Sequence, residues 1–198
     1  MHVGMTGISE REARAEGLDC FATNIHPQSH AGYYPGAEVL AVKAIVECST
    51  GRLLGAQVVG KDGVDKRIDV FAVAVQAGFT MDDLAQMDLA YAPPFSSSKD
   101  PTIMAGFVGQ NVLSGEMVSI SWGQLAERIR GGNPPRIVDV RTATEYESGH
   151  VRGAMHMPLD ELRRTLGKLG RDEEIVVYCR QGLRSYLAQR ILRQREYS

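Results

Sequence analysis

Apolar residues run along the chain in two different rhythms. Up to about residue 112 the pattern is one of strands, a hairpin and broad-faced helices. Residues 17–25 read as a strand with imperfect alternation, followed by a His/Pro/Gly/Tyr loop over 26–36. Residues 39–48 and 53–59 are strands joined by Ser49-Thr50-Gly51-Arg52, a hairpin turn with glycine where a positive φ is needed. Residues 65–78 predict a helix with Ile68, Val70, Phe71, Val73, Ala74 and Val75 on its apolar face and Gly78 as its stop. Thr80-Met81-Asp82-Asp83 is a capping box that opens a short helix. Ala90-Tyr91-Ala92-Pro93-Pro94-Phe95 is expected to be extended, because proline pushes its predecessor out of α geometry. A helix over 101–112 closes the segment. Antiparallel strands with helices make an α+β unit.

Beyond residue 117 strands and helices alternate. Residues 117–120 read as a short strand, Ser121-Trp122-Gly123-Gln124 as a capping box opening a helix to Arg130, and 131–135 as its breaker. Residues 136–140 form a buried strand, Thr142–Glu145 caps another helix, 154–157 is strand-like and 160–169 helical. Residues 174–178 form a further buried strand, and 184–193 an amphipathic helix with Tyr186, Leu187, Ile191 and Leu192 inward. Such alternation predicts a parallel α/β sheet, whose ligands bind beyond the carboxyl ends of the strands.

Charge supports two units. Residues 1–117 hold 8 Lys and Arg against 14 Asp and Glu, whereas residues 118–198 hold 14 against 10, all but one of those bases arginine. The expected division is 1–113, a linker at 114–117, and 118–198. A net charge of −2 gives no case for nucleic acid as partner, and no apolar run is long enough to span a bilayer. The charged start (Glu10, Arg11, Glu12, Arg14) is unlike a signal peptide. Three cysteines, Cys20, Cys48 and Cys179, then suit a reducing cytoplasm. No CxxC pair occurs, and the histidines lack metal-ligand spacing with the cysteines, so no metal is expected.

The chemistry concentrates at Glu174-Ile175-Val176-Val177-Tyr178-Cys179-Arg180-Gln181-Gly182-Leu183-Arg184-Ser185. This order sets Cys179 at the end of a strand, facing a helix amino terminus, where free N–H groups and the macrodipole favour an anion. Arg180 and Arg184 are expected to lower its pKa further, which makes Cys179 the candidate nucleophile. Cys20 and Cys48, in apolar strands, read as small hydrophobes. Lys66 and Arg67 read as the solvated face of their helix, His150 as a loop-ordering hydrogen-bond donor, and Trp122 as core packing. The first unit alone, without a GxGxxG, a P-loop or paired carboxylates, reads as a binding or dimerisation module.

Four segments of that unit carry a family resemblance: His30-Ala31-Gly32-Tyr33-Tyr34-Pro35-Gly36, Thr50-Gly51-Arg52-Leu53-Leu54-Gly55-Ala56-Gln57, Gly60-Lys61-Asp62-Gly63-Val64-Asp65-Lys66-Arg67-Ile68-Asp69 and Ala90-Tyr91-Ala92-Pro93-Pro94-Phe95-Ser96. They resemble the carboxy-terminal dimerisation domain of coenzyme A-disulfide reductases, pyridine nucleotide-disulfide oxidoreductases that use FAD and NAD(P)H. The resemblance implies a homodimer in which Tyr33 and Tyr91 reach the partner's active site and contact the coenzyme A substrate. It also implies that the FAD- and NAD(P)H-binding domains, and the cysteine that attacks the disulfide, lie upstream. The chain is then the rear part of a longer enzyme, and no flavin or other cofactor is expected on it.

In the second unit Val138-Asp139-Val140-Arg141, Glu145-Tyr146-Glu147-Ser148-Gly149-His150-Val151-Arg152-Gly153-Ala154 and Cys179-Arg180-Gln181-Gly182-Leu183-Arg184-Ser185 together resemble a rhodanese domain, a sulfurtransferase. The resemblance implies a persulfide on Cys179, with a small sulfane-sulfur donor or coenzyme A, as thiol or disulfide, as the partner. The loop residues Arg180, Gln181, Gly182, Leu183, Arg184 and Ser185 would cradle it, and Asp139 and Arg141 would brace the loop. It further implies a domain incomplete at its carboxyl end. Two alternatives stand beside this reading. One is a non-catalytic dimerisation and sulfur-carrier module. The other is a cysteine-dependent phosphatase, which shares the architecture but places five residues, not the four found here, between cysteine and arginine. The tighter ring suits one sulfur better than a tetrahedral phosphate.

Overall fold

The computed structural model describes residues 1–197, which divide into two compact units, Met1–Gly115 and a second beginning at Glu116. The first is built on an antiparallel sheet of four strands, β1 (His2–Gly7), β2 (Cys20–Ile25), β3 (Ala41–Glu47) and β4 (Leu53–Gly60), in the order β1-β4-β3-β2. Helix α1 (Glu10–Ala15) lies between β1 and β2, and α2 (Val64–Ala77), α3 (Met81–Ala85) and α4 (Pro101–Leu113) follow β4. Leu40, Val42, Val46, Leu53, Val58, Phe71, Met81, Leu84 and Ala105 form the main core between sheet and helices. Ala13, Cys20 and Ile45 form a smaller cluster with Ile8 and Leu54. Gly106 lets α4 approach α3 closely, because a Cβ there would stand 2.5 Å from the Ala85 amide nitrogen.

The hairpin turn, the Thr80 capping box with Asp83 and the α4 helix are as the sequence predicts, with Gly51 at φ +71°. Several features differ. Strand β1 and helix α1 are not expected from the sequence, although Ser9 and Glu12 form a capping box at the start of α1. Gly4 lies against Ile68 of α2, and Gly7 takes φ +65°, so β1 exists through packing and pairing with β4 rather than through propensity. Within Ala90–Phe95 the chain turns at Pro93, Pro94 and Phe95 instead of staying extended: the amides of Phe95 and Ser96 both bond back to the Ala92 carbonyl, a turn that the fixed φ of proline suits. Val73 on α2 is exposed. Arg67 is not on a solvated face but 1% exposed, paired with Asp100 at 2.9 Å.

The second unit is an α/β layer around a parallel sheet of three strands, β5 (Arg136–Asp139), β6 (Met155–His156) and β7 (Ile175–Tyr178), in the order β6-β5-β7. Helix α5 (Trp122–Arg130) precedes β5, α6 (Ala143–Glu147) follows it, α7 (Leu159–Thr165) follows β6, and α8 (Leu183–Arg193) follows β7. The core comprises Val138, Val140, Met157, Leu162, Leu166, Leu169, Ala188, Ile191 and Leu192. Both capping boxes, Ser121 with Gln124 and Thr142 with Glu145, form as predicted.

Here too the sequence reading needs correction. Residues 117–120 form no strand; the Val118 backbone is held instead by both polar groups of the Gln189 side chain. The helix expected over 160–169 ends at Thr165 and continues as a 3-10 turn, Leu166–Lys168. Strand β7 is half-buried along its length, because it lies at the margin of the sheet. Leu187 is exposed, and burial on α8 falls to Ala188, Ile191 and Leu192. Trp122 is 62% exposed rather than packed in the core, and meets Tyr178 edge-on.

Candidate active site

Cys179 leaves the carboxyl end of β7, where Tyr178 lies opposite Asp139 of the central strand and the Val140 amide bonds to the Tyr178 carbonyl at 3.2 Å. The chain then turns sharply through Gly182, at φ +103° and ψ −37°, into α8. A side chain at this position would be strained, which explains the glycine. The turn brings the Gly182 amide to 3.1 Å from the Cys179 sulfur. The Ser185 hydroxyl lies 3.6 Å from the same sulfur and 2.8 Å from the Gly182 carbonyl.

Burial of the half-covered sulfur works against its charged form, but the contact with the Ser185 hydroxyl and hydrogen bonds from the Ser185, Gln181 and Gly182 amides outweigh it. The Cys179 thiol therefore sits below the ordinary thiol pKa. Backbone and hydroxyl dipoles, which cost no charge burial, supply the stabilisation. The arginines do less than their positions in sequence suggest. Arg180 is exposed, and Arg184 holds both Glu145 carboxylate oxygens at 2.7 Å. Leu183 is exposed at the start of α8.

Glu145 also accepts the Thr142 amide and hydroxyl at 3.0 Å, and with the Arg184 guanidinium this holds its carboxyl far below the usual range. One carboxylate thus links the start of α6 to the loop around Cys179. Behind the loop, the buried Asp139 carboxylate accepts the Arg141 amide at 2.9 Å and its guanidinium at 2.6 to 3.0 Å. Burial alone would raise the Asp139 pKa; the bonds from Arg141 and Tyr178 reverse this and hold it low. Arg141 reaches on to the Gly149 carbonyl at 2.7 Å, and the Tyr178 hydroxyl accepts the Val151 amide. These contacts bind β5, β7 and residues 149–151 into one frame.

The sequence reading missed a stack of three rings beside that frame. Tyr146 lies between His150, at 3.7 Å, and His156, at 4.4 Å. A carbonyl can only accept, so His150 Nδ1 donates to the Tyr146 carbonyl and His156 Nε2 to that of Arg141. A cleft of about 560 Å³ bounded by Arg128, Arg136, Glu173 and Glu174 opens at the opposite end of the strands. Arg128 is paired there with Glu174, and Arg136 with Glu173.

In the first unit the two tyrosines singled out from sequence meet: the Tyr33 and Tyr91 hydroxyls are 2.9 Å apart. Both are exposed, and the bond to Tyr33 raises the Tyr91 phenol above its ordinary pKa. Among the described residues, no cluster of three His, Cys, Asp or Glu could hold a metal ion. No helix there is long and apolar enough to cross a membrane. Neither unit fits a flavin or nicotinamide: one sheet is antiparallel, and the strand-to-helix turns of the other carry Arg141-Thr142 and the Cys179 loop in place of a glycine-rich pyrophosphate turn.

Residues 1–101 match the pyridine nucleotide-disulphide oxidoreductase dimerisation domain. The chain belongs to that oxidoreductase family. Residues 121–198 match the rhodanese-like domain, so the oxidoreductase dimerisation domain is followed by a rhodanese-like one. The chain is 44% identical over 104 residues to an NAD(P)H coenzyme A polysulfide/persulfide reductase of Pyrococcus horikoshii, covering 52% of this chain and 23% of that one. It is 38% identical over 104 residues to a coenzyme A disulfide reductase of Staphylococcus epidermidis, again 52% of this chain and 23% of the relative. Its fold is similar to that of reduced Bacillus anthracis CoADR-RHD, with a TM-score of 0.95 and 37% identity over 99% of this chain and 35% of that one. An NAD-dependent persulfide reductase from A. fulgidus is similar at a TM-score of 0.88 and 41% identity, over 99% of this chain and 35% of its own. The matched regions thus span about a quarter to a third of these relatives.

Proposed function

We propose that the chain is part of an FAD- and NAD(P)H-dependent reductase of coenzyme A disulfides, persulfides or polysulfides, and that its rhodanese-like unit carries sulfane sulfur as a persulfide on Cys179. The observation that carries this reading is the set of neutral donors around one sulfur, with the Gly182 amide at 3.1 Å. Such a ring stabilises a thiolate and, after transfer, a terminal persulfide sulfur. In the forward step the Cys179 thiolate attacks the outer sulfur of a donor such as thiosulfate. The donor S–S bond breaks, sulfite leaves with the electron pair, and a cysteine persulfide remains. An acceptor thiolate or cyanide then attacks the terminal sulfur and returns Cys179 as thiolate.

Asp139 and Arg141 brace the loop in this reading, and residues 180–185 form the cradle. In the first unit Tyr33 and Tyr91 contact the coenzyme A portion of the substrate across a homodimer, where a phenol can stabilise a departing thiolate. FAD and NAD(P)H belong to the whole enzyme, and a reducing cytoplasm suits a free thiolate. Phosphatase chemistry is the weaker reading, since four residues, not five, separate Cys179 from Arg184 and both Arg184 Nη atoms are held by Glu145.

The test is thiocyanate formation from thiosulfate and cyanide by the wild-type chain and by Cys179→Ser. Turnover that vanishes in the variant supports the persulfide. No turnover in either protein, or p-nitrophenyl phosphate hydrolysis that depends on Cys179, rejects it.

A further inference from the structure

We propose that Arg67 is a positioning residue that clasps the loops bearing Tyr33 and Tyr91, and so holds the two phenols as a pair. The guanidinium is 1% exposed, and its contacts divide between those loops. Nη2 donates to the Ser29 carbonyl at 2.6 Å, four residues before Tyr33. It also donates to the Phe95 carbonyl at 3.5 Å, four residues after Tyr91, and to Asp100 Oδ2 at 2.9 Å. Nη1 donates to the Gly63 carbonyl at 3.3 Å. Gly63 has φ +69°, and a Cβ there would stand 2.4 Å from Nη1, so the α2 amino terminus is shaped around this guanidinium.

The loops are joined around the same point. The Ala31 amide donates to the Ser96 carbonyl at 3.0 Å, and the Ser96 hydroxyl donates to Asp100 Oδ2 at 2.7 Å. Asp100 Oδ1 accepts the Thr102 amide at 3.0 Å, which ties the second loop to the start of α4. Above this buried node the phenols meet at 2.9 Å, although Tyr33 is 77% and Tyr91 49% exposed. An exposed hydroxyl pair exchanges one hydrogen bond for bonds to water and gains little net stability, so it does not fix its own geometry. A rigid base must do so, and a five-donor planar fork satisfies several carbonyls where a lysine ammonium has only a compact, flexible head. The functional weight of the clasp rests on the reading of Tyr33 and Tyr91 as substrate contacts; the clasp itself does not.

The test uses the full chain with 13C at the tyrosine Cζ positions, Tyr33 and Tyr91 being assigned by Tyr33→Phe and Tyr91→Phe. Each Phe variant also gives the position of its partner's signal when the pair is uncoupled. Arg67→Lys keeps the charge opposite Asp100 but cannot span both loops. The expected result is that the Tyr33 and Tyr91 signals move to the uncoupled positions while the core methyls of Leu53 and Leu84 stay in place. Ser96→Ala, which keeps the ion pair and the Ala31–Ser96 backbone bond, covers the case in which Arg67→Lys does not fold, and is expected to move both signals part of the way. Wild-type Tyr33 and Tyr91 positions in either folded variant overturn the proposal. Titration of coenzyme A disulfide into the wild-type sample is a separate arm: failure to perturb Tyr33 or Tyr91 there counts against the substrate reading and leaves the clasp standing.

Discussion

Replacing Asp139 by alanine should strip the second unit of a large part of its stability. Its carboxylate is fully buried and holds the Arg141 amide, the Arg141 guanidinium and the Tyr178 hydroxyl. Breaking a buried pair by removing one partner costs about 3–5 kcal/mol. Arg141 retains 15% side-chain exposure and its bond to the Gly149 carbonyl, which argues for the lower end, about 3 kcal/mol. With a urea slope of about 1 kcal/mol/M for so small a unit, the midpoint should fall by roughly 3 M. Trp122 is the only tryptophan and packs edge-on against Tyr178 at 5.9 Å, so its fluorescence reports this unit alone. That selectivity matters in a chain of two units, whose overall unfolding need not be two-state. Glu173→Ala is the control: it breaks a pair whose members are 42% and 43% exposed, and should cost less than about 1 kcal/mol. The pH dependence has a definite sign. Asp139 has a depressed folded-state pKa, so its contribution is present above the unfolded value of about 3.9 and disappears as pH falls through the folded value. The gap between wild type and Asp139→Ala should therefore close only in acid below pH ~4. An Asp139→Ala midpoint no lower than that of Glu173→Ala would refute the reasoning.

Two further outcomes concern the cysteine loop. Ser185→Ala removes the hydroxyl that accepts from the Cys179 thiol at 3.6 Å and that, once the thiol ionises, can turn from the Gly182 carbonyl to the sulfur, so alkylation of Cys179 by iodoacetamide at pH 7 should slow about tenfold. Cys20 is buried, and burial with the Asp19 neighbour raises the Cys48 thiol, so both stay slow; an unchanged rate at Cys179 would remove Ser185 from the cradle. Gly182→Ala meets open space, yet its φ of +103° is costly for an L side chain, so the Trp122-monitored stability should drop by about 1–3 kcal/mol, with Cys179 less reactive; a neutral variant would show that the turn is not held in that conformation.

What the sequence revealed was mostly local. The capping boxes at Thr80, Ser121 and Thr142 depend on residues three apart, and all three form. The strand-to-helix setting of Cys179 was legible because an apolar run, a glycine and an amphipathic helix follow one another directly. The errors trace to distant partners. Arg67 looks solvated until Asp100, 33 residues on, folds beneath it. Arg184 looks like a charge aimed wholly at the thiolate, whereas Glu145, 39 residues earlier, takes both its Nη nitrogens. Tyr33 and Tyr91 stand 58 residues apart and were placed in one role by family resemblance, whereas their direct hydrogen bond could be seen only in the fold. Strand β1 lacked a signal because its glycines are there for close packing, which no periodicity registers.

The strand that presents Cys179 has a neighbour on one flank only: β5 pairs with it, and among the described residues no strand lies beyond it. That flank can accept a further strand of matching register, from the same polypeptide or from another. A strand added there would lie directly beside the one that carries Cys179, so thiol reactivity is best read over a range of protein concentrations. Dilution series belong in every kinetic comparison of the cysteine variants.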